Sequence, residues 1–374
     1  MTPHLLFAGG DPGGARCLLP VIKSALEQGI DIRVLAHGWL EKQVKKMPDP
    51  GLLIDEEELV STAFSMPSSV LIFSSSVSDL LPLRLAFRLK ALGIPIIHVL
   101  DHWSNYARRL TTDDGMVLEV DVYTALDDLS KEQIKASRIK ARKVVVTGSP
   151  ALEALFFELS NLEESDEISH LKRDKMEHKS PVLLWASEPV TQDQGNSKSP
   201  FYRGYTEEDA FYWFTQLLMQ FVGEDIELLV APHPREDVAR LESIVRSYWP
   251  SATLLKAGEG RKGVLMAQGV CGMASMLLYE AWLWGKSVLS LQPNARSPIP
   301  FSHMKTEDDF FLVLDVNRQK NKFKEFLTQG LKKKDEGYQR TKRAARFSTH
   351  MGAAQRILML GVELSKTRFN GEAF

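Results

Sequence analysis

Short apolar runs recur along the 374-residue chain, each followed by a turn of glycine, proline or polar residues and then by a helical segment. The first run, His4–Gly10, ends in two glycines and precedes a helical segment over Ala15–Gln28 and a second run, Asp31–Ala36. Strands that alternate with helices in this way form parallel sheets. The pattern predicts an α/β protein with two Rossmann-like doubly wound domains.

A polar, charge-dense segment containing EESDE and KRDK divides the apolar runs into two groups. Such composition is typical of a solvated linker. The predicted organisation is an N-terminal Rossmann-like domain, a charged linker, a C-terminal Rossmann-like domain, and a C-terminal helix that packs back on the N-terminal domain. Their boundaries are 1–158, 159–180, 181–345 and 346–374.

Composition narrows the class of protein. The formal net charge of -2 gives no overall field that would attract nucleic acid. Cys17 and Cys271 are too few for a disulfide framework or a zinc cluster, which favours a reducing compartment. We expect no signal peptide and no membrane span, and therefore a cytoplasmic protein.

The stretch Gly269–Asn294 predicts a loop, a helix, a glycine stop and a strand. Gly272, Ser275 and Met276 lie at the start of the helix, where unpaired backbone N–H groups favour a phosphate. Glu280 lies between LLY and AWL, so it is an acid in a helix that is apolar all round. Because a buried charge needs a partner, we interpret Glu280 as a ligand of a sugar diol. The alternative is a plain turn, with Ser275 as a helix cap and Glu280 as a surface acid.

The glycine loop after the first strand contains Gly10, Asp11, Gly13 and Gly14. It lies where doubly wound sheets bind ligands, but it matches neither GxGxxG nor a P-loop. It is interpreted as a backbone cradle for an acceptor, with Asp11 as a general base. The alternative is a turn in which Asp11 caps the next helix.

Two further strand ends carry polar clusters. Asp101, His102 and Trp103 follow a predicted strand. Asp101 and His102 are interpreted as an acid/base pair or as ligands of sugar hydroxyls, and Trp103 as a stacking face. The alternative is that they cap the following helix. His233 and Arg235 follow another strand, where histidine can donate to a phosphate and arginine can hold one with two bonds. The alternative is a turn histidine beside an exposed Arg-Glu pair.

The tail is rich in basic residues, at Lys332–Lys334 and Arg340–Arg346. These residues could contact an anionic membrane surface that presents a lipid-linked acceptor, so the protein would be peripheral at the inner membrane. The alternative is a solvated helix face, which is what a run of charged residues usually forms.

The whole layout resembles the GT-B superfamily of glycosyltransferases. The motifs that carry the resemblance are His233-Pro234, Gly272–Ala281 and, loosely, Val146–Pro150. Similar proteins are the sialyl- and Kdo-type transferases, lipid-A-disaccharide synthase and the UDP-GlcNAc 2-epimerases. The sequence GMASMLLYEA differs from the glycine-rich form of this motif in the epimerases. The set of acidic residues of an epimerase also has no counterpart in the first half of the chain.

The resemblance implies that the two domains face each other across a cleft. The C-terminal domain would be the nucleotide-sugar domain, and the N-terminal domain would be the acceptor domain, which binds a glycan or lipid-linked acceptor. Ser275 and His233 would then meet the phosphate, and Glu280 the ribose. No Asp-x-Asp metal motif stands beside a strand, so neither a metal nor a cofactor besides the donor is expected. The predicted function is a metal-independent glycosyltransferase of bacterial surface polysaccharide or glycoconjugate synthesis. The alternatives are a nucleotide-sugar 2-epimerase or hydrolase, and a non-catalytic nucleotide-sugar-binding protein.

Overall fold

The computed structural model describes residues 2–77, 79–137, 139–166, 168, 180–223, 225–331 and 336–370. The chain divides into two units. Unit 1 comprises Met1–Leu155 and Phe347–Phe374, and unit 2 comprises Phe156–Arg346. Most of the predicted linker, at 167 and 169–179, lies outside the described residues.

Unit 1 contains a seven-stranded parallel sheet with the order β3-β2-β1-β4-β5-β6-β7. Its central strands β1 and β4 are apolar after their first residues, His4 and Ser69, and are buried along their whole length, because helices cover both faces of the sheet. The strands are β1 His4–Ala8, β2 Asp31–Leu35, β3 Leu53–Ile54, β4 Ser69–Phe73, β5 Ile96–His98, β6 Val120–Ala125 and β7 Ala141–Val146.

The helices of unit 1 begin and end close to the predicted positions. The first starts at Pro12 rather than Ala15, since Asp11 caps it and proline fits the first helical turn. The helices are α1 Pro12–Glu27, α2 Gly38–Val44, α3 Glu56–Ser65, α4 Leu81–Ala91, α5 Asp128–Ala136 and α6 Pro150–Glu163, with a 3₁₀ turn at Pro50–Leu52 and another at Arg108–Leu110. The boundary between the two units falls within α6.

Unit 2 contains a six-stranded parallel sheet with the order β10-β9-β8-β11-β12-β13. The strands are β8 Val182–Ala186, β9 Glu227–Ala231, β10 Thr253–Leu254, β11 Gly269–Gly272, β12 Ser287–Leu291 and β13 Phe310–Val313. The helices are α7 Val190–Gln194, α8 Glu207–Phe221, α9 Val238–Tyr248, α10 Gly260–Met266, α11 Met276–Leu283, α12 Lys320–Glu325 and α13 Glu336–Ser348, with a 3₁₀ turn at Ser302–Met304 and a π-helical turn at Phe326–Gly330. The two sheets confirm the predicted fold class of two Rossmann-like domains.

The last helix, α14 Ala353–Asn370, belongs to unit 1. The carboxylate of Glu153 accepts hydrogen bonds from the N–H groups of Gly352 and Ala354, at 2.6 and 2.9 Å, and so caps the helix start. Gln355 accepts a hydrogen bond from Gln28, at the end of α1. These contacts attach the C-terminal helix to α1 and α6 within unit 1.

The basic residues of α13 are engaged by unit 2. Arg343 is 4% exposed, lies over the ring of Trp282 and forms an ion pair with Asp309 at 3.2 Å. Arg340 lies over Trp284. Arg343 is buried, so it fits neither membrane contact nor a solvated helix face, the two roles predicted for this segment. Lys332–Lys334 lie outside the described residues. No helix in the described part of the chain is long and apolar enough to cross a membrane.

Candidate functional site

The strand order of unit 2 reverses between β8 and β11, which is where doubly wound sheets bind ligands. The segments that follow these two strands are in close contact. A Cβ atom on Gly272 would lie 2.6 Å from the carbonyl oxygen of Ala186, so only glycine fits at the end of β11. Helix α11 begins four residues beyond this glycine, with Ser275 as its cap and Met276 as its first residue.

A carboxylate occupies the start of α11. The N–H of Ala274 donates to Oε2 of Glu188, which follows β8, and the N–H of Ser275 also contacts this carboxylate. Burial raises the pKa of Glu188, while Arg203 and the two N–H groups act in the opposite direction. The backbone at the strand reversal therefore binds an anionic oxygen supplied by the chain itself. The hydroxyl of Ser275 accepts from the N–H of Leu277 at 3.3 Å, as a helix cap does.

Glu280 is buried, as its apolar surroundings predict, and its partner is Arg261 at the start of α10. The guanidinium donates from Nε to Oε2 and from Nη2 to Oε1, both at 3.0 Å. Burial disfavours the charged guanidinium, but the adjacent Glu280 outweighs this effect and raises the pKa of Arg261. Arg261 also contacts Glu158, whose side chain is 54% exposed.

The Glu280–Arg261 ion pair lies in the same part of unit 2 as the end of β9. A Cβ atom on Gly260, the residue before Arg261, would lie 3.7 Å from Cβ of Ala231 and 2.7 Å from Cδ2 of Leu277. Helix α10 thus begins against both the end of β9 and the first turn of α11. Sequence reasoning predicted a partner for Glu280 but did not identify Arg261.

The turn after β9 is held by Glu236. Its carboxylate accepts from the N–H of His233 at 2.9 Å and from the hydroxyl of Ser187 at 2.7 Å. Burial raises the pKa of Glu236 to about 7, although both hydrogen bonds lower it. The N–H of Arg235 donates to Nδ1 of His233 at 3.2 Å, and this bond assigns the ring hydrogen to Nε2. His233 therefore has an Nε2–H group that can donate a hydrogen bond to a phosphate.

Arg235 forms a two-bond ion pair with Asp193 of α7, at 2.8 Å for each bond. Both side chains are one-quarter exposed. The guanidinium that was predicted to hold a phosphate is therefore held by a carboxylate, and this pairing was not predicted from the sequence.

In unit 1, Asp11 caps α1 by accepting from the N–H of Gly13 at 3.1 Å. This is the structural role that the sequence left open for it. A Cβ atom on Gly13 would lie 2.3 Å from Oδ2 of Asp101, and one on Gly14 would lie 2.5 Å from the hydroxyl of Ser74. The glycines therefore let the loop approach the ends of β4 and β5.

The three residues predicted after β5 are also tied to neighbours. Asp101 forms an ion pair with the buried Arg109 at 2.7 Å. Nδ1 of His102 and the hydroxyl of Ser104 form a hydrogen bond at 2.9 Å. Trp103 is 6% exposed and donates its indole N–H to Asp127. Its ring is packed inside unit 1, whereas the sequence predicted an accessible stacking face.

Another pair of side chains, to which sequence analysis assigned no role, lies at the same edge of unit 1. Nε2 of His37, which follows β2, lies 2.9 Å from Oδ1 of Asp79, which follows β4. Both side chains lie beside Gly10, because a Cβ atom on that glycine would overlap each of them. Within the described ranges, no group of three or more His, Cys, Asp and Glu side chains has a metal-binding arrangement.

No family model and no curated protein matches the chain. Solved structures do match over almost its full length. They include a UDP-N-acetylglucosamine 2-epimerase from Rickettsia bellii, with a TM-score of 0.64 at 12% identity and 98% coverage of both chains. The UDP-GlcNAc 2-epimerase from Methanocaldococcus jannaschii in complex with UDP-GlcNAc and UDP has a TM-score of 0.63 at 13% identity, covering 96% of this chain and 99% of that one.

A glycosyltransferase from Rickettsia africae has a TM-score of 0.62 at 12% identity, with 97% of this chain and 98% of that one covered. Identities this low show the fold alone. The matches confirm the predicted resemblance to the GT-B superfamily at the level of fold.

Proposed function

We propose that the chain is a metal-independent GT-B glycosyltransferase that uses a nucleotide-sugar donor, in bacterial surface polysaccharide or glycoconjugate synthesis. The observation that supports this best is the anionic oxygen held by the backbone N–H groups of Ala274 and Ser275. A phosphate oxygen has the same charge and the same capacity to accept these bonds. The proposed reaction needs no cofactor besides the donor.

In this proposal the donor phosphate displaces the carboxylate of Glu188 from the start of α11. His233 donates its Nε2 hydrogen to the same phosphate. Negative charge develops on the nucleotide as the bond to the sugar breaks. Hydrogen-bond donors that are already oriented toward the phosphate stabilise that charge with little reorganisation. Arg235 would contribute after exchanging Asp193 for the phosphate.

Glu280 binds the ribose in this proposal, although Arg261 already uses both of its oxygens. A carboxylate oxygen has two lone-pair directions, so an ion pair with an arginine does not by itself prevent it from accepting a hydrogen bond from a diol hydroxyl. The ion pair with Arg261 keeps Glu280 charged, and hydroxyl groups bind more strongly to a charged acceptor than to a neutral one. The same pair fixes the orientation of the carboxylate before the nucleotide binds.

The first experiment is a thermal-shift screen of UDP-, GDP-, CMP- and dTDP-sugars, followed by calorimetry of the nucleotide that stabilises the protein. Glu280→Ala should weaken binding about 10- to 100-fold, because hydrogen bonds to a charged group contribute about 1.5–3 kcal/mol. Glu158→Ala is the matched control, since Glu158 contacts the same arginine from an exposed position. Circular dichroism establishes that both variants fold. Equal affinities for the wild type and Glu280→Ala would contradict the proposal.

A nucleotide-sugar 2-epimerase or hydrolase is the second candidate, because several of the matching structures are UDP-GlcNAc 2-epimerases. Incubation with UDP-GlcNAc alone separates the reactions. An epimerase or hydrolase consumes the donor at a catalytic rate without an acceptor, whereas a transferase leaves nearly all of it intact. A non-catalytic binding protein would bind the nucleotide and leave it unchanged with every acceptor offered.

A further inference from the structure

The strand order of unit 1 reverses between β1 and β4, and three segments meet at this edge of the sheet. Gly10 follows β1, His37 follows β2 and Asp79 follows β4. The ring of His37 and the carboxylate of Asp79 are joined at 2.9 Å, and their side chains are 30% and 19% exposed. The pair is therefore enclosed by protein but still accessible to a small molecule.

Gly10 makes this arrangement compatible with the loop. A Cβ atom on Gly10 would lie 2.3 Å from Cδ2 of His37 and 2.4 Å from Oδ2 of Asp79. The carbonyl of Gly10 accepts from the N–H of Trp39 at 2.8 Å, which attaches the start of α2 to the same loop. The imidazole thus lies directly on the glycine loop, where the sequence predicted an acceptor to bind.

The hydrogen bond to Asp79 assigns the ring hydrogen of His37 to Nε2, because a carboxylate only accepts. Nδ1 is then a lone-pair acceptor, and no residue in the described ranges forms a hydrogen bond with it. A carboxylate that orients an imidazole and stabilises its protonated form is the arrangement that makes histidine an effective general base.

The general bases predicted from the sequence are engaged elsewhere. The carboxylate of Asp11 caps α1, that of Asp101 is paired with the buried Arg109, and His102 is bonded to Ser104. Asp101 can take up a proton only by weakening a buried ion pair, which is costly.

We propose that His37 is the general base for the acceptor hydroxyl and that Asp79 is its positioning residue, an assignment that rests on the proposed transfer function. The acceptor oxygen forms a bond to the anomeric carbon as the bond from that carbon to the nucleotide phosphate breaks. The hydroxyl proton passes to Nδ1 of His37, and the nucleotide leaves with the bonding electron pair. The imidazolium is neutralised when its proton returns to solvent.

The test measures the slow residual release of UDP from UDP-GlcNAc to water, which a transferase shows only over long incubation, alongside calorimetry of UDP. A positioned general base contributes about 100- to 10,000-fold, so His37→Ala should lower kcat at least 100-fold and leave the affinity for UDP unchanged. Added imidazole should raise the kcat of His37→Ala at least tenfold. Asp79→Asn should lower kcat with little change in KM, because it misorients the ring without touching the donor.

His4→Gln is the matched control. His4 lies on β1 near Asp31 of β2, at 3.7 Å, but at the amino ends of the strands, opposite the ligand-binding edge. It should lower stability and leave kcat within threefold. His37→Gln, which retains a donor toward Asp79, replaces His37→Ala if the latter does not fold.

The two proposals fail in different ways. In the first case, the wild type binds UDP and releases UDP from UDP-GlcNAc, and the His37 variant releases UDP at a rate within threefold of the wild type. The assignment of His37 as the base is then wrong, and the proposed donor site is unaffected. If the wild type does not bind UDP, the proposed function fails for a UDP-sugar, and with it the base assignment.

Discussion

Glu236 provides a quantitative test of the turn that presents His233. Its carboxyl group is held by Ser187 and the N–H of His233, and burial raises its pKa to about 7. The unfolded chain binds this proton with an ordinary pKa of roughly 4.3. Because the folded state binds the proton more tightly, it is favoured at low pH. Stability is lost as the pH rises from that unfolded value through about 7.

The size of the effect follows from the two pKa values. At about 1.4 kcal/mol for each unit of pKa difference, ionisation of Glu236 lowers the free energy of unfolding by about 4 kcal/mol at pH 8. Glu236→Gln removes this titration and can keep both hydrogen bonds, since the amide oxygen accepts from His233 and the amide N–H donates to Ser187. The variant should match the wild type at pH 4.5 and exceed its stability at pH 8.

The assay is urea-induced unfolding at pH 4.5 and pH 8, followed by the fluorescence of buried tryptophans such as Trp185, which precedes Ser187 by two residues. Glu242→Gln is the control, because Glu242 is 53% exposed and its pair with Arg246 has a separation of 3.7 Å. Exposed pairs contribute about 0–1 kcal/mol, so this variant should follow the wild type. A stability difference for Glu236→Gln that is the same at both pH values would refute the reasoning.

Two further predictions concern the carboxylates near α11. Glu188→Gln removes the anion that competes for the N–H groups of Ala274 and Ser275, so calorimetry should show about 10-fold tighter UDP binding. Burial raises the pKa of Glu188, and wild-type affinity should fall as rising pH ionises this carboxyl group. The variant should lose this dependence, and equal pH profiles for the two proteins would contradict the prediction. Arg261→Met leaves Glu280 buried without its cation and should cost about 3–5 kcal/mol in urea unfolding. Adding Glu280→Leu should restore most of the stability, and a double variant as unstable as the single one would contradict the assignment of the pair.

The strands could be predicted because a strand buried on both faces must be apolar along its whole length. This holds for the VLIF run of β4 and the VLLWA run of β8. The burial of Glu280 was predictable for a related reason, since the helix around it has no polar face. The start of α1 was predicted three residues late, because the glycines after Pro12 are poor indicators of a helix.

The partners of the site residues could not be predicted from the sequence. Glu188 meets Ala274 across 86 positions of the chain, and His37 meets Asp79 across 42. Such pairs are created by strand order, which places segments distant in sequence at one edge of a sheet. A usable signal was nevertheless present, because both Glu188 and His37 lie two residues beyond the last residue of a strand.

The most direct test of the donor site is hydrogen–deuterium exchange of the wild type with and without UDP. We predict slower exchange in residues 273–278 at the start of α11 and in the turn at His233, because the phosphate would bind the N–H groups that Glu188 now occupies. Calorimetric binding of UDP with unchanged exchange in both segments would place the nucleotide elsewhere and contradict the account.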